Sequence, residues 1–147
     1  MTTENEDYDG IPDDCLQNAW MIPAYSERLV HAINNEEIEG FQFLPVTVYS
    51  YKRQQKFHYY IANCKNIVSA LNTGLSSYHI FPDDFPNPEA RGKIVLKKIV
   101  VNSESINGYE IFRLAEEPPK LIVSEKFTRL FKRNKFTGYA FQAIESV

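Results

Sequence analysis

Three histidines and two cysteines are the side chains of this chain best suited to nucleophilic or metal chemistry: His31, His58, His79, Cys15 and Cys64. No histidine has a second histidine or a cysteine three or four residues away, the spacing that metal-binding helices use. A nucleophilic pair would need Cys64 beside His58 or His79 in space. No catalytic signature surrounds Cys64, so the pattern favours a packing cysteine and structural or surface histidines.

Two pairs of adjacent carboxylates, Asp83-Asp84 and Glu116-Glu117, lie beside prolines. Acid–base catalysis needs two carboxyl groups held several ångströms apart across a cleft, whereas adjacent acids near prolines are typical of solvated turns. The sequence also contains no GxGxxG, P-loop or GxSxG motif. We therefore predict a protein that is not an enzyme, with no catalytic residue, no metal site and no cofactor.

Acidic residues are concentrated at the N-terminus. Six of the 19 acidic residues fall within residues 1–14, which contain no lysine or arginine, and all 16 basic residues fall in the remainder. This composition predicts a flexible acidic leader over 1–14, which acts either as a solubilising tail or as an arm that meets a basic partner. Residues 15–147 have the length of a single domain with its own core.

Cysteine usage and apolar runs bear on where the protein works. Two cysteines are too few for a disulfide framework and indicate reduced thiols. The first residues, MTTENEDYDG, have neither the basic nor the apolar region of a signal peptide. No apolar run approaches the roughly 18 residues that span a membrane. We therefore expect a cytoplasmic protein without a membrane partner.

Basic side chains cluster in two places, and bases near aromatic residues can indicate nucleic-acid binding. The members are Lys52, Arg53 and Lys56 in the first cluster, and Lys126, Arg129, Lys132, Arg133 and Lys135 in the second. The pI of about 5.6 and the acidic leader argue against a polyanionic partner. We interpret the second cluster as a solvated helix face and expect no nucleic-acid binding.

Apolar periodicity predicts three helices. Tyr25–Asn35 has Ser26 as a plausible N-cap and an apolar face. A short helix is predicted over Cys64–Leu71, where apolar residues recur at helical spacing. The third helix is predicted over Ser124–Asn134, again with an apolar stripe.

Strands are predicted where aromatic and β-branched residues are dense. Phe41–Tyr51 and Phe57–Ala62 should form a hairpin, and Pro45 places the first of them at an edge or a bulge. The other predicted strands are Lys93–Val101, Tyr109–Leu114, Leu121–Val123 and Gly138–Ile144, with a proline-rich loop over Pro82–Gly92 and a tight hairpin turn at Asn107-Gly108.

One segment of the chain recurs. Ser26–Val46 aligns without a gap with Ser124–Ile144, at a constant offset of 98 residues. The identical pairs are Ser26/Ser124, Glu27/Glu125, Gly40/Gly138 and Phe43/Phe141. We predict a helix–glycine–strand unit used twice, with both glycines at equivalent turns and both phenylalanines buried. Together with the hairpins, this predicts an α+β fold: a mixed or mostly antiparallel sheet with two or three helices packed on it.

A series of motifs carries a resemblance to a known family. Along the chain they are Trp20, Ser26-Glu27 with its helix, GFQFLPV (Gly40–Val46), YYIANCKNIVSALN (Tyr59–Asn72), SSY (Ser76–Tyr78), GYEIFRL (Gly108–Leu114), LIVSEKF (Leu121–Phe127) and FTGYAFQ (Phe136–Gln142). The chain resembles the bacterial immunity proteins of polymorphic toxin systems, over nearly its whole length. It departs from their pattern at Cys64, where an aliphatic residue is usual, and at Asn72, where an aspartate is expected.

The resemblance implies a cytoplasmic protein that binds and neutralises a cognate toxin domain without catalysis. The residues alone leave two alternatives open, a regulatory interaction module unrelated to toxins and a small ligand-binding domain or enzyme with a scattered site. For a protein partner we predict contacts from the proline-rich loop and from the aromatic hairpin. These contact residues are Asp83, Asp84, Phe85, Tyr49, Tyr51 and Tyr59; the oligomeric state is left open.

Overall fold

The structure, a computed structural model, describes residues 11–147 and confirms the predicted α+β fold, with three α-helices packed on mostly antiparallel strands. The helices are α1 (Glu27–Asn35), α2 (Ser103–Ile106) and α3 (Glu125–Asn134), with a 3-10 turn at Pro88–Ala90. The strands are β1 (Cys15–Leu16), β2 (Ala24–Ser26), β3 (Phe41–Ser50), β4 (Gln55–Cys64), β5 (Ile67–Val68), β6 (Ser77–Ile80), β7 (Ile94–Lys98), β8 (Val100–Val101), β9 (Ile111–Leu114), β10 (Leu121–Val123) and β11 (Glu145–Ser146).

The largest sheet is antiparallel and has the order β1-β2-β4-β3. The predicted hairpin of β3 and β4 is confirmed and pairs without interruption from Phe41 opposite Cys64 to Ser50 opposite Gln55. Pro45 has no N–H to donate, and it lies on the edge strand β3, as predicted.

The remaining strands form three small sheets. β10, β9 and β5 make a three-stranded sheet in which β9 runs antiparallel to β10 and parallel to β5. β6 and β7 form a separate antiparallel hairpin, and β8 pairs in parallel with β11.

Two apolar clusters hold these layers together. The first joins α1 and α3 to the largest sheet and contains Cys15, Tyr25, Leu29, Val30, Ile33, Ile38, Ala62, Cys64, Ile111, Phe127, Leu130, Phe131 and Phe136. The second is formed mainly by side chains of β5, β7, β8 and β9 and contains Val68, Ala70, Leu71, Leu96, Val101, Phe112 and Leu114. Each fully buried Leu, Ile or Phe side chain stabilises the fold by about 1.5–3 kcal/mol.

Both long helices begin directly after a serine N-cap. Ser26 is the predicted cap of α1, although the predicted helix start at Tyr25 is wrong because Tyr25 belongs to β2, and Ser124 caps α3. Ser26 Oγ accepts a hydrogen bond from Leu29 N at 3.3 Å, and Ser124 Oγ accepts one from Phe127 N at 3.2 Å. Each serine thereby satisfies an N–H of the first turn that has no partner within its helix.

The repeat is confirmed in its helix and its glycine but not in its strand. Gly40 and Gly138 both have positive φ, at +102° and +84°. Residues 41–46 belong to β3, whereas the predicted strand Gly138–Ile144 is absent and only Glu145–Ser146 pairs. The predicted burial of Phe43 and Phe141 is also wrong: Phe43 is half-buried and Phe141 is 37% exposed.

The predicted helix Cys64–Leu71 is wrong. Cys64 ends β4 opposite Phe41, and β5 follows it and pairs with β9. The Asn66 side-chain amide donates to Ile111 O at 3.0 Å, which fixes the link between the two strands. A short apolar run fits a helix or a buried strand equally by periodicity, and pairing with a distant strand decides between them.

The predicted hairpin at Asn107-Gly108 is also wrong. The predicted strand Lys93–Val101 is divided into β7 and β8, which pair with β6 and β11 rather than with β9. Helix α2 fills the interval before Asn107, and Gly108 adopts φ +85° as a single turn residue.

Most of the predicted acidic leader lies outside the described residues. Asp14, its last member, is buried at 6% exposure. Its carboxylate accepts hydrogen bonds from Arg28 Nε at 2.7 Å, Ser26 Oγ at 2.6 Å and Thr137 N at 3.0 Å. Asp14 therefore joins the start of α1 to the segment that follows α3.

Candidate partner-binding surfaces

The end of the β3–β4 hairpin carries two of the predicted contact residues. Tyr49 and Tyr51 lie with ring centroids 4.9 Å apart and nearly perpendicular, and Tyr51 is 70% exposed. The chain contains no acidic residue from Phe41 to Pro82, and Lys52 and Arg53 follow Tyr51 directly. The hairpin end therefore presents aromatic surface beside positive charge, a combination that interfaces favour.

Tyr59, the third aromatic residue predicted on this hairpin, is not exposed. It is 4% exposed, and its hydroxyl donates to Asp13 O at 2.8 Å and to Pro12 O at 3.1 Å. Residues 12 and 13 cover its face of the sheet, so the expected exposure of Tyr59 is wrong. Its position fits anchoring of the N-terminal segment better than direct contact with a partner.

The proline-rich loop places the two predicted aspartates at the surface. Asp83 and Asp84 are exposed. Phe85 is half-buried with its ring 4.6 Å from that of Phe81, and Arg91 Nε donates to Phe85 O at 2.7 Å. These contacts brace the loop from within and leave the carboxylates in solvent.

The sequence interpretation assigned no binding role to Trp20, which is 80% exposed. The loop around it is held by Asn18, whose Oδ1 accepts from Trp20 N at 3.0 Å and whose Nδ2 donates to Ile22 O at 2.5 Å. Met21 follows at φ +56° and is also exposed. The sequence signal for a binding role is that Trp20 is the single tryptophan of the chain, since tryptophan is enriched at interfaces.

The two cysteines are buried in the fold, whereas His31, His58 and His79 are exposed at the surface. Burial raises the pKa of the Cys15 thiol to about 11, with Asp13 and Asp14 adding to the shift, and burial also raises the pKa of Cys64. Both thiols are therefore protonated near neutral pH. No three His, Cys, Asp or Glu side chains between residues 11 and 147 are grouped so that they could hold a metal ion.

The two carboxylates of the Glu116-Glu117 pair do not face a cleft together, because each accepts a hydrogen bond from a different neighbouring segment. Glu116 Oε1 accepts from Ser69 Oγ at 2.6 Å, and Glu117 Oε2 accepts from Leu96 N at 3.2 Å. These bonds fix the turn between β9 and β10 against its neighbours.

Residues 3–146 match the Immunity protein family (Imm11). The chain belongs to this family. The match covers nearly the whole chain and confirms the resemblance that the sequence motifs carry. No curated protein matches the chain.

The basic cluster of this Imm11 member tethers α3 to α1 and to itself. Lys126 Nζ donates to Glu36 O at 3.1 Å, Arg133 pairs with the Glu36 carboxylate, and Arg129 pairs with Glu125 at 2.8 Å. Glu36 follows the end of α1, so two of these contacts bridge the two repeated helices. No helix within residues 11–147 is long and apolar enough to cross a membrane.

A polar cleft of about 780 Å³ lies beside the start of β3 in the Imm11 fold. Its charged side chains include Glu110 and Lys126. Both are engaged within the fold, since the Glu110 carboxylate accepts from the Ser124 hydroxyl and Lys126 donates to Glu36 O. The other charged side chains of the lining, Glu37, Glu39 and Lys65, carry opposite signs, so the cleft does not select one class of charged ligand.

Proposed function

We propose that this Imm11 family member protects a bacterial cell by binding a cognate toxin domain directly and blocking it without catalysis, in the cytoplasm. The observation that carries the proposal is the family match over residues 3–146, nearly the whole chain. Because the match spans nearly the whole chain, the toxin contact is to be sought on the surface of this fold.

The chemistry of the described side chains supports binding rather than turnover. Thiolate chemistry at neutral pH is disfavoured at Cys15 and Cys64 because burial raises the pKa of both. By contrast, Trp20 and Tyr51 are largely exposed, and aromatic side chains of this kind are the commonest anchors of protein interfaces.

The end of the β3–β4 hairpin and the proline-rich loop carry charged side chains of opposite sign. Tyr49 and Tyr51 lie beside the bases at the end of the β3–β4 hairpin, whereas Asp83, Asp84 and Phe85 lie in the loop between β6 and β7. We place one part of the toxin contact on these five residues and assign Tyr59 an internal role. Complementary charge at both loops would speed the encounter with the toxin and fix its orientation.

Co-expression with the candidate toxin domain in bacterial cells tests the proposal. The wild-type chain should restore growth, and purification of either protein should recover both at equal amounts. A protein that prevents killing at a few copies of toxin needs a dissociation constant on the order of nanomolar or below. Growth arrest despite a folded, expressed chain would reject that toxin as the partner, and rescue without any recoverable complex would reject direct binding.

A further inference from the structure

The first copy of the repeated unit has a strand, β4, between its two segments β2 and β3, and the second copy has no strand of the described chain at the equivalent position. In the first copy, β4 lies between β2 and β3 and pairs with both. At the offset of 98 residues, β2 corresponds to 122–124 and the first part of β3 corresponds to 139–144. No strand of the described chain pairs with the outer edge of β10. The second copy is open at the position that β4 fills in the first.

A groove of about 670 Å³, here called the β10 groove, lies at this open position. One wall is β10 and the other is 140–144, while α3 contributes Glu125, Thr128 and Lys132. In the first copy α1, the counterpart of α3, packs against β4. The β10 groove therefore lies against α3 as β4 lies against α1.

One wall of the groove presents unpaired backbone groups from β10. Lys120 O and Ser124 N bond to the β9 side, at 3.1 Å and 2.9 Å. Backbone groups of successive residues in a strand point to opposite sides, so those of Leu121 and Val123 point into the groove. Neither residue makes a further backbone hydrogen bond among residues 11–147.

The opposite wall is also unpaired. None of residues 139–144 makes a backbone hydrogen bond to any part of the described chain. In the first copy Gly40 O accepts from Lys65 N at 2.7 Å, which shows that even-numbered residues of this segment bond toward β4. The corresponding groups in the second copy belong to Ala140, Gln142 and Ile144.

An apolar cavity of about 150 Å³ adjoins the groove. The two share Leu121, Val123, Ala140 and Phe141 as lining residues. A cavity of this size lined by apolar side chains can hold a benzene-sized group. In the first copy the Tyr60 ring of β4 lies 6.4 Å from Phe43, the counterpart of Phe141.

The geometry points to the β10 groove as an open strand position that takes an extended segment of the cognate toxin, a further step that rests on the proposed function. The segment pairs with β10 and with 140–144, antiparallel to β10 as β4 is to β2. One of its apolar or aromatic side chains enters the cavity beside Phe141. Main-chain bonds then supply affinity and the cavity supplies specificity.

The charged side chains that line the groove predict the charge of the toxin segment that it binds. Lys120 and Lys132 line it and form no ion pair within the described chain, whereas Glu125 is already paired with Arg129 at 2.8 Å. The unbalanced charge is positive. The toxin segment therefore carries acidic residues beside its apolar anchor.

The natural probe is the strand that fills the equivalent position. A synthetic peptide with the sequence of residues 58–63, His-Tyr-Tyr-Ile-Ala-Asn, is added to the full chain, and amide hydrogen exchange is followed residue by residue by NMR. The amides of Leu121, Val123, Gln142 and Ile144 should exchange at least about tenfold more slowly, while that of Ala143 is unchanged. A scrambled peptide should give no such alternation.

A matched pair of proline variants carries the test to the toxin. Gln142→Pro removes an N–H that points into the groove, and Ala143→Pro places proline where the first copy has Pro45. Gln142→Pro should weaken toxin binding by about tenfold or more, and Ala143→Pro should change it by less than about twofold. Both variants should remain folded by circular dichroism.

Several results would overturn the assignment. Peptide protection at Phe43 and Thr47 would move strand addition to the edge of β3, and absence of protection would remove the open strand. Equal toxin affinity for both proline variants would exclude the groove while leaving the proposed function in place. Failure of the wild-type chain to bind toxin would reject the proposed function, while the peptide result would still decide whether the groove accepts a strand.

The same hydrogen-exchange experiment distinguishes the toxin segment from two other possible occupants of the groove. Slowing of the groove amides with rising protein concentration, without peptide, would identify a second copy of this chain as the occupant. Slow exchange in the free chain that is lost when residues 2–10 are deleted would identify the chain's own N-terminal segment. Either outcome would overturn the assignment to the toxin.

Discussion

Glu37 and Lys135 lie 98 positions apart and adopt the same left-handed backbone conformation, with φ of +55° and +53°. In each case the N–H of the next residue donates to the carbonyl oxygen five residues earlier. Ile38 N donates to Ile33 O at 3.2 Å, and Phe136 N donates to Phe131 O at 3.1 Å. A left-handed conformation costs an ordinary residue about 1–2 kcal/mol. Both copies of the repeat therefore share the same helix exit, although neither uses glycine at that position.

The glycines three residues later should tolerate no side chain. A Cβ at Gly138 would overlap the Cys15 carbonyl oxygen, and a Cβ at Gly40 would overlap the Asn66 side-chain amide. With the positive φ added, each Gly→Ala substitution should lower the free energy of unfolding by about 1–3 kcal/mol. Urea denaturation measures the change.

Gly138→Ala should be the more harmful of the two, because backbone is harder to displace than a side chain. Gly74→Ala is the control, since Gly74 lacks a positive φ and its nearest neighbour, Asn72 Oδ1, would lie 3.6 Å from the new Cβ. Equal stability of all three variants would show that Gly40 and Gly138 are not required at the turns that follow the helix exits.

Much of the fold could be predicted from local sequence, and the misses share a cause. α1 and α3 were predicted because a serine cap and an apolar stripe lie within a few residues of each other. The segments 64–71 and 138–144 were predicted wrongly because strand pairing depends on distant partners. Apolar pattern cannot show whether a partner strand is present.

The candidate contact residues divide in the same way. Tyr51, Asp83 and Asp84 are exposed as expected, because they lie at or beside turns. The burial of Tyr59 could not be predicted, since its cover comes from residues 12 and 13, more than 40 positions earlier. The β10 groove was likewise hidden, because it requires the two walls to be placed in space.

The stabilisation that the ionised Asp14 carboxylate gives to the fold should be lost in acid. Burial alone would raise its pKa, but hydrogen bonds from Arg28, Ser26 and Thr137 outweigh burial and hold the pKa below its ordinary value. The stabilisation is therefore present above the ordinary aspartate pKa of about 4 and is lost as pH falls through the lower pKa of the folded state.

Asp14→Asn should lower the free energy of unfolding by about 1–3 kcal/mol at pH 7, since an amide cannot accept all of these hydrogen bonds. The difference from wild type should shrink as denaturation is repeated toward pH 2. The exposed Asp84→Asn serves as control and should change stability by less than about 0.5 kcal/mol. A difference from wild type that stays constant with pH would contradict a charged role for Asp14.

Replacement of each cysteine and histidine in turn should leave protection against the toxin intact. Cys15→Ala and Cys64→Ala truncate buried side chains and should cost about 1–3 kcal/mol of stability, whereas changes at the exposed His31, His58 and His79 should cost less than about 0.5 kcal/mol. Growth rescue and thermal denaturation report the two effects separately. A folded variant that fails to protect would reveal a reactive or metal-binding residue.

Charge reversal at the proline-rich loop should slow the encounter with the toxin. Asp83→Lys combined with Asp84→Lys should reduce the association rate, with the largest effect at low salt, if the facing toxin surface is basic. Stopped-flow kinetics at two ionic strengths measure the association rate. Tyr51→Ala is a contrasting variant and should instead raise the dissociation rate, because it removes an exposed anchor. Unchanged association at low salt in a folded variant would exclude this loop from the interface.

The most direct test of the account is a titration of toxin activity with the purified chain. Direct, non-catalytic binding predicts that activity falls in proportion to the chain added and reaches its minimum at one chain per toxin. Toxin released by denaturation and refolding should then have its original mass and full activity. Inactivation of many toxin molecules by one chain, or a lasting change in toxin mass, would show that the protein acts as an enzyme and would contradict the account.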